Sequence, residues 1–395
     1  MTIANRIRMI PRYNWDYGFI DLCKALAGAL QTPRPEQATL RDMFGERYCF
    51  TTSGRVSLYT LLRSLALPKG AGVGVPLFCC PVVFDAIMQA GYKPRFLDIV
   101  QDTYTLSPED IDKKRRDLFA IVAVHMFGHP ADMDAVMAAA GPIPVIEDCA
   151  QSLFSTYNGR YTGAMGTASF FSFRSGKYIS AGEGSAIVCQ SPALFDAVRS
   201  MIGSFPPWRF GQSAIHAIAT YIKSTLYHRP WYGTIGLPLG SRLDKTLNLT
   251  AKSGFTKRRI SPADLHVISG RLNTFRANIG RQRENAIRLL QSIKRDDTIL
   301  PRERPGCVSN FYQFAIRMKN MDQRDRLAAH LLKSGIDAAK YLDGISAQAR
   351  ALYGYNGHCP VSERCAQSVL TIPAYYSLPQ DDVTHIADSI NSFAG

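Results

Sequence analysis

The sequence predicts an α/β fold: a large domain with a mostly parallel central sheet covered by helices, then a smaller α+β C-terminal domain. Three observations carry this. Short apolar runs alternate with helical patterns from about residue 55 to 190, the arrangement that builds βα units around a parallel sheet. After about Met201 the pattern breaks into a stretch rich in aromatic and basic residues. A long helical pattern follows, and leads into a last part where one strand-like run is succeeded by helices.

Taken in order, a helical pattern at 55–65 precedes an apolar segment at 73–77 and a second helix near 81–90. Residues 96–100 and the run LFAIVAVHM at 118–126 read as strands. A helix is expected over 131–140, then strands at 143–148, 168–173 and 185–190. Residues 204–250 read as an irregular insertion, split by Pro206, Pro207, Pro230 and Pro238. The long helix runs from about 262 towards 293. A strand at 310–318, the helix RDRLAAHLL and a final helix at 381–393 complete the chain. The domain boundary is placed inside the long helix, giving residues 1–280 and 281–395.

Composition narrows the class without naming a chemistry. With 395 residues, 46% hydrophobic and 20% charged, the chain can bury a large core and is neither disordered nor polytopic. Its 46 Lys+Arg against 32 Asp+Glu give a formal charge of +14, which suits an enzyme that handles anions. The basic residues are scattered and no zinc-finger spacing accompanies them, so no nucleic acid is expected as a partner. Nine cysteines without a C-x-x-C read as reduced thiols of a cytoplasmic protein. The N-terminal residues lack the apolar stretch of a signal peptide, and no run reaches the length of a spanning helix.

Three features point to chemistry. Asp148 closes the run IPVIED, at the carboxyl end of an expected strand, where open α/β sheets bind ligands. Lys177 lies between two strand-like runs in FFSFRSGKYISAGEGS; it attacks an aldehyde only as the free amine, which calls for desolvation or a neighbouring cation. Ser53 and Gly54 in TTSG precede a helical pattern, whose free N–H groups make an anion site to which Ser53 and Arg55 add donors. Each has an ordinary reading: a turn aspartate, a solvated lysine, an N-cap serine. Together they match one cofactor, with an aldehyde for the lysine, a phosphate for the helix start and a ring nitrogen for the carboxylate.

On the ordered segments TTSGRVSLYTLLRSLAL, GYKPRFLDIVQDTYTLSPEDI, VHMFGHPADMDAV, VIEDCAQS, GAMGTASFFSFRSGKYISAGEGSAIV and CPVSERCAQSVLTIPAYYSLPQDDV, the sequence resembles the DegT/StrS sugar aminotransferases from about Thr51 to Phe393. The resemblance implies the aspartate aminotransferase fold, pyridoxal 5'-phosphate as cofactor and a homodimer with shared sites. It implies amino transfer from L-glutamate to a keto sugar, expected to be nucleotide-linked, for polysaccharide or amino-sugar biosynthesis. By that resemblance Lys177 carries the cofactor and shuttles a proton, and Asp148 pairs with the pyridine nitrogen. Gln151 falls near the 3-hydroxyl, and Ser172 and the Ser53-Gly54-Arg55 turn fall on the phosphate.

Three departures from the family pattern are visible. Cys80 stands where an aromatic residue stacks on the ring; it gives a weaker, polarizable contact there, unless Phe78 or Phe84 turns in instead. Lys257 stands near the family asparagine that reaches the partner subunit's phosphate, where a lysine serves as a point charge. The stretch AAKYLDGI at 338–345 lacks the HY-type substrate loop.

Other residues keep a plain reading beside a functional one. His125 is either a core histidine or a neighbour of the cofactor, and Glu183 either a turn glutamate or an aid to proton transfer. No metal-ligand spacing is present. Ile215, Ile218, Ile222 and Leu226 fall at helical spacing, near Lys223, Arg229, Trp231 and Tyr232. A helix covering the dimer or the active-site mouth is favoured over membrane-surface contact through 212–237. The rival functions are a pyridoxamine-dependent dehydratase, which the presence of Lys177 opposes, a cofactor-binding regulatory protein, and a membrane-surface aminotransferase acting on a lipid-linked precursor.

Overall fold

The computed structural model describes residues 2–30, 38–240 and 255–394. Its strands are β1 Tyr48–Thr51, β2 Gly72–Pro76, β3 Lys93–Leu97, β4 Ala120–Val124, β5 Val145–Asp148, β6 Thr156–Tyr157, β7 Arg160–Tyr161, β8 Ala168–Ser172, β9 Ser185–Cys189, β10 Thr298–Ile299, β11 Cys307–Val308, β12 Phe314–Met318 and β13 Val369–Ile372. Seven of them form the central sheet in the order β1-β9-β8-β5-β4-β2-β3. Pairing is parallel except at β9, which runs against both β8 and β1.

Every residue of β2, β4, β5 and β8 is buried. Helices cover both faces of such strands, which is why AIVAV is apolar throughout and does not alternate. β3 is the exception, and it corrects the strand expected at 96–100. It begins at Lys93 and includes Pro94 and Arg95, residues tolerated because β3 is an edge strand with one neighbour.

The helices between strands begin on the caps their sequences supply. Ser53 Oγ accepts from the N–H of Val56 to start helix Gly54–Ser64, Asp132 caps Met133–Ala140, and Ser191 caps Pro192–Gly203. Pro at the first turn, in Pro81–Gln89 and Pro192–Gly203, fixes the entry without losing a helical hydrogen bond.

Helix Pro262–Ser292, 31 residues long, leads out of the central sheet. Beyond it β10, β12 and β13 form an antiparallel sheet with helices Met321–Lys333 and Gln380–Asn391, around Leu289, Phe314, Leu327 and Ile386. The strand expected at 310–318 starts only at Phe314. Asn310 Oδ1 accepts from the N–H of Tyr312 at 2.8 Å and Phe311 takes a φ of 46°, so residues 310–313 turn away from the sheet. The insertion is not irregular throughout: helix Phe210–Leu226 occupies 17 of its residues, while 241–250 lie outside the described residues. No helix among the described residues is long and apolar enough to cross a membrane.

His129 gives the fold a pH dependence. It is 6% exposed and edge-on to Phe311, and its Nε2 has no hydrogen-bond partner. Burial pushes its imidazole down to about 4. Below the ordinary value near 6.5 the unfolded chain binds a proton that the folded chain refuses, so stability falls as pH drops from about 6.5 to about 4. The full loss is on the order of 3 kcal/mol. Urea denaturation at pH 7 and pH 5 is expected to show a smaller drop in His129→Leu than in the native protein.

Candidate active site

A cleft of about 850 Å³ opens at the carboxyl edge of the sheet. Strands β4, β5 and β8 supply Val124, Asp148 and Ser172 to its floor, and Val124 and Phe170 flank Asp148 in register. Helices Gly54–Ser64 and Pro81–Gln89 aim their N-termini at the same space. Of the nine residues singled out from sequence, Ser53, Gly54, Arg55, Cys80, Asp148, Gln151, Ser172 and Lys177 all line the cleft.

Lys177 sits in the loop between β8 and β9, its ammonium 4.9 Å from the ring centroid of Tyr312. The loop is fixed by backbone groups: Lys177 N–H donates to Arg174 O at 2.9 Å and Ser180 Oγ to Lys177 O at 3.2 Å. Gly182 allows the loop its closest approach. Its φ is +99°, and a Cβ there would lie 2.9 Å from Asp264 Oδ1, His216 Nε2 and Thr220 Oγ1. Burial lowers the Lys177 pKa, and Arg174 adds to the effect, while Asp148 opposes it. Asp148 is 6% exposed and accepts the Ala150 N–H at 2.9 Å. Burial raises its carboxyl above the ordinary range, against the backbone hydrogen bond and the attraction of Lys177. Both groups are thus drawn towards their neutral forms, because each charge costs more in this cleft than in water.

The residues present fit pyridoxal phosphate. Around Gly54 the space is narrow: a Cβ would lie 3.4 Å from the Phe170 ring and 3.9 Å from Ser172 Cβ. The helix start and Ser172 therefore share one corner, where backbone N–H groups and two hydroxyls are available to an anion, with Arg55 beside them lying over the Phe255 ring at 5.7 Å. Lys177 supplies an amine and Asp148 a carboxylate for a ring nitrogen.

Gln151 is held at both ends: Oε1 accepts from Phe127 N–H at 2.7 Å, and Nε2 donates to Tyr341 Oη at 2.8 Å. One amide hydrogen of Nε2 remains for a ligand. Tyr341 belongs to the stretch AAKYLDGI, which sequence reading treated only as a missing loop. Cys80 is exposed at the cleft as the N-cap of Pro81–Gln89. Neither Phe78 nor Phe84, the alternatives to Cys80 at the ring, turns in. Both are wholly buried, Phe78 against Tyr104, Phe127 and Tyr341, and Phe84 against Phe96 and Tyr353. Lys257 lies outside this cleft, its ammonium 4.3 Å from the Tyr59 ring centroid.

His125 is a core residue. Its Nε2 meets Glu147 Oε2 at 3.0 Å and Nδ1 accepts from Ala131 N–H at 2.9 Å. With Cys149 these two form a compact buried group, but Glu147 is already used by the N–H groups of Gly163, Met165 and Gly166. Burial works against the Glu147 charge, yet His125 and those donors hold its carboxyl below the ordinary range. Glu183 lines the cleft and accepts from Thr52 Oγ1 at 3.4 Å.

Sequence reading missed the N-terminal part of one wall. Arg12, Tyr13 and Trp15 reach the cleft from the N-terminus, and His216, Thr220, Lys223, Tyr227 and Tyr232 from the insertion. Trp15 stacks on Tyr227, centroids 4.5 Å apart, and Arg12 binds Asp337 at 2.5 and 2.8 Å. Tyr232 donates to the same carboxylate. The insertion helix does cover the cleft, as one of its two readings held.

Lys177 and Asp148 thus line one cleft at the carboxyl edge of a mostly parallel sheet with one reversed strand, where an α/β enzyme places its site. The chain belongs to the DegT/DnrJ/EryC1/StrS aminotransferase family, whose sequence model matches residues 36–220 and 239–391. It is 26% identical over 352 residues to the GDP-perosamine synthase of Escherichia coli O157:H7, covering 88% of this chain and 86% of that one. It is 27% identical over 348 residues to a pleiotropic regulatory protein of Geobacillus stearothermophilus, covering 86% and 83%. It is 28% identical over 344 residues to the UDP-N-acetyl-3-dehydro-alpha-D-glucosamine 3-aminotransferase of Acidithiobacillus ferrooxidans, covering 86% and 82%. Among solved structures, the aminotransferase TlmJ of Streptoalloteichus hindustanus superposes with a TM-score of 0.78 at 20% identity, covering 97% and 98%. Spr1654 of Streptococcus pneumoniae in its PMP form gives 0.77 at 14%, covering 98% and 97%. These two likenesses carry the fold.

Proposed function

We propose that this protein is a cytoplasmic pyridoxal-phosphate-dependent aminotransferase that moves an amino group from L-glutamate to a nucleotide-linked keto sugar. The observation that carries the reading is the convergence of Lys177, Asp148 and the Ser53–Ser172 anion corner in one cleft. Two of the relatives are named for nucleotide-linked sugars, and the family supplies the reaction class.

When bound, the cofactor supplies an electron sink for the carbanion formed at the substrate's amine-bearing carbon. The protein's part is placement and proton movement. Ser53, Gly54, Arg55 and Ser172 hold the phosphate, and Asp148 holds the ring nitrogen in its protonated form. Lys177 Nζ, kept basic enough to bond and free enough of its proton to attack, takes the proton from the substrate carbon. Gln151, tied to Phe127 and Tyr341, offers its remaining hydrogen to the ring hydroxyl. The wall from Trp15 to Tyr227 excludes water. The reading includes a homodimer, in which Lys257 serves the partner's site, and a division into residues 1–280 and 281–395.

The test is the absorption spectrum of the purified protein loaded with pyridoxal phosphate, before and after L-glutamate. A visible band that L-glutamate bleaches supports the reading. A cofactor band that ignores L-glutamate means that the donor is another compound or that the protein regulates without turnover. If the protein takes up no cofactor, the reading fails.

A further inference from the structure

Two neighbouring helices are built inside out. Helix Phe210–Leu226 buries Ser213, Ala217, Thr220 and Ser224 while Ile215, Ile218 and Ile222 are exposed. Helix Phe19–Ala29 packs against it, with the Phe19 ring edge-on to Tyr221 at 6.3 Å. It buries Asp21, Ala25 and Gly28 while Phe19 and Ile20 are exposed. A surface helix normally turns its large apolar side chains to the core, where burial stabilises most. Here Ile215 and Ile20 stand 69% and 70% exposed. More than half of the large apolar side chains exposed among the described residues fall within 3–30 and 210–239, a small part of the chain.

The charge of this face is one-sided. Residues 201–240 contain no Asp or Glu, and Lys24 and Arg209 are exposed. The acids of residues 2–30 are Asp16 and Asp21, and Arg271 takes both, at 2.6 and 2.5 Å.

We propose that the paired helices dock on an anionic lipid surface, lying in its plane with the exposed Phe and Ile side chains in the headgroup boundary. Apolar area and basic flanks are what such binding requires, and each cation near the surface adds to it. A second copy of the chain fits less well, because a two-fold contact sets the same cations against each other without an acid between them. Residues 1–35 and 221–238, with Phe19, Ile20 and Ile222, lie outside the family match, whereas Ile215 and Ile218 lie within it. The opposite side of helix Phe210–Leu226 presents His216, Thr220 and Lys223 to the cleft, so docking holds the cleft mouth beside the lipid. The inference does not depend on the reaction proposed above.

Flotation of the full chain with vesicles tests it, using equal parts phosphatidylglycerol and phosphatidylcholine against phosphatidylcholine alone. The protein is expected to float with the anionic vesicles and roughly tenfold less with the neutral ones. Ile218→Asp/Ile222→Asp and, separately, Lys24→Glu/Arg209→Glu are each expected to lower the bound fraction by roughly tenfold, with circular dichroism and thermal midpoint unchanged. Failure of the native protein to float with anionic vesicles overturns the proposal, as does equal flotation of the Ile variant. Conversion of a dimer to a monomer by the Ile variant, without lipid binding by the native protein, assigns the face to a second copy and likewise overturns it.

Discussion

Replacing Lys177 with alanine is expected to lower the rate of amino transfer by at least about 10⁴-fold, the upper end for a positioned acid–base group. The loss exceeds that expected of any other single change because, in the proposed reaction, Lys177 both attaches the cofactor and moves the proton. The fold should survive. The loop is held through the backbone of Lys177, by Arg174 and Ser180, and the side chain's recorded contact is the Tyr312 ring. Burying an ammonium group is costly, so the cofactor-free variant should melt no lower than the native protein. Assay of amino transfer beside a thermal melt separates the two effects; a variant that loses activity only by unfolding would not support the assignment.

The second large effect is expected of Asp148→Asn. Asparagine keeps the shape, and its Oδ1 can still accept the Ala150 N–H that Asp148 Oδ1 accepts at 2.9 Å, but the charge is gone. A fall of about 10²–10³-fold in rate is expected, the range for removing one electrostatic stabiliser. Cofactor affinity supplies the pH test. Only the ionised carboxylate favours a protonated ring nitrogen, and burial raises the Asp148 pKa. Affinity of the native protein should therefore weaken as pH falls through a value above the ordinary aspartate range, while the Asn variant binds weakly and without that limb. Equal pH profiles would remove Asp148 from the role.

What could be read from sequence follows from how far each feature depends on distant residues. β4 declared itself because burial on both faces leaves only apolar residues in it. Asp148, Lys177 and Ser53 were visible because each stands at the junction of a strand or helix with a glycine-rich or capping stretch, a local signal. β1 and β13, four residues each, are too short to show a period. Arg12, Tyr13 and Trp15 reach the cleft through the bridge from Ile10 to Ile336 and the pair of Arg12 with Asp337, contacts more than 320 residues apart in sequence. Nothing near them in the chain announces that.

Helix Phe210–Leu226 was legible as a period, but not in which face it packs: the buried residues are Ser213, Ala217, Thr220 and Ser224, and the Ile stripe is exposed. Tyr312 escaped because the apolar alternation of 310–318 continues through it, whereas the turn at Phe311 depends on Asn310 and its bond to Leu153 O. Whether Cys80 or Phe78 faces the ring was open from sequence; the packing of Phe78 against Tyr104 and Phe127 decides it.

Borohydride reduction of the protein loaded with pyridoxal phosphate, followed by peptide mapping, tests the central claim most directly. The account predicts that the cofactor is trapped on the peptide containing Lys177, in amounts approaching one per chain, and that the Lys177→Ala variant gives no such peptide. Trapping on another lysine, or no trapping in a protein that has bound the cofactor, would contradict it.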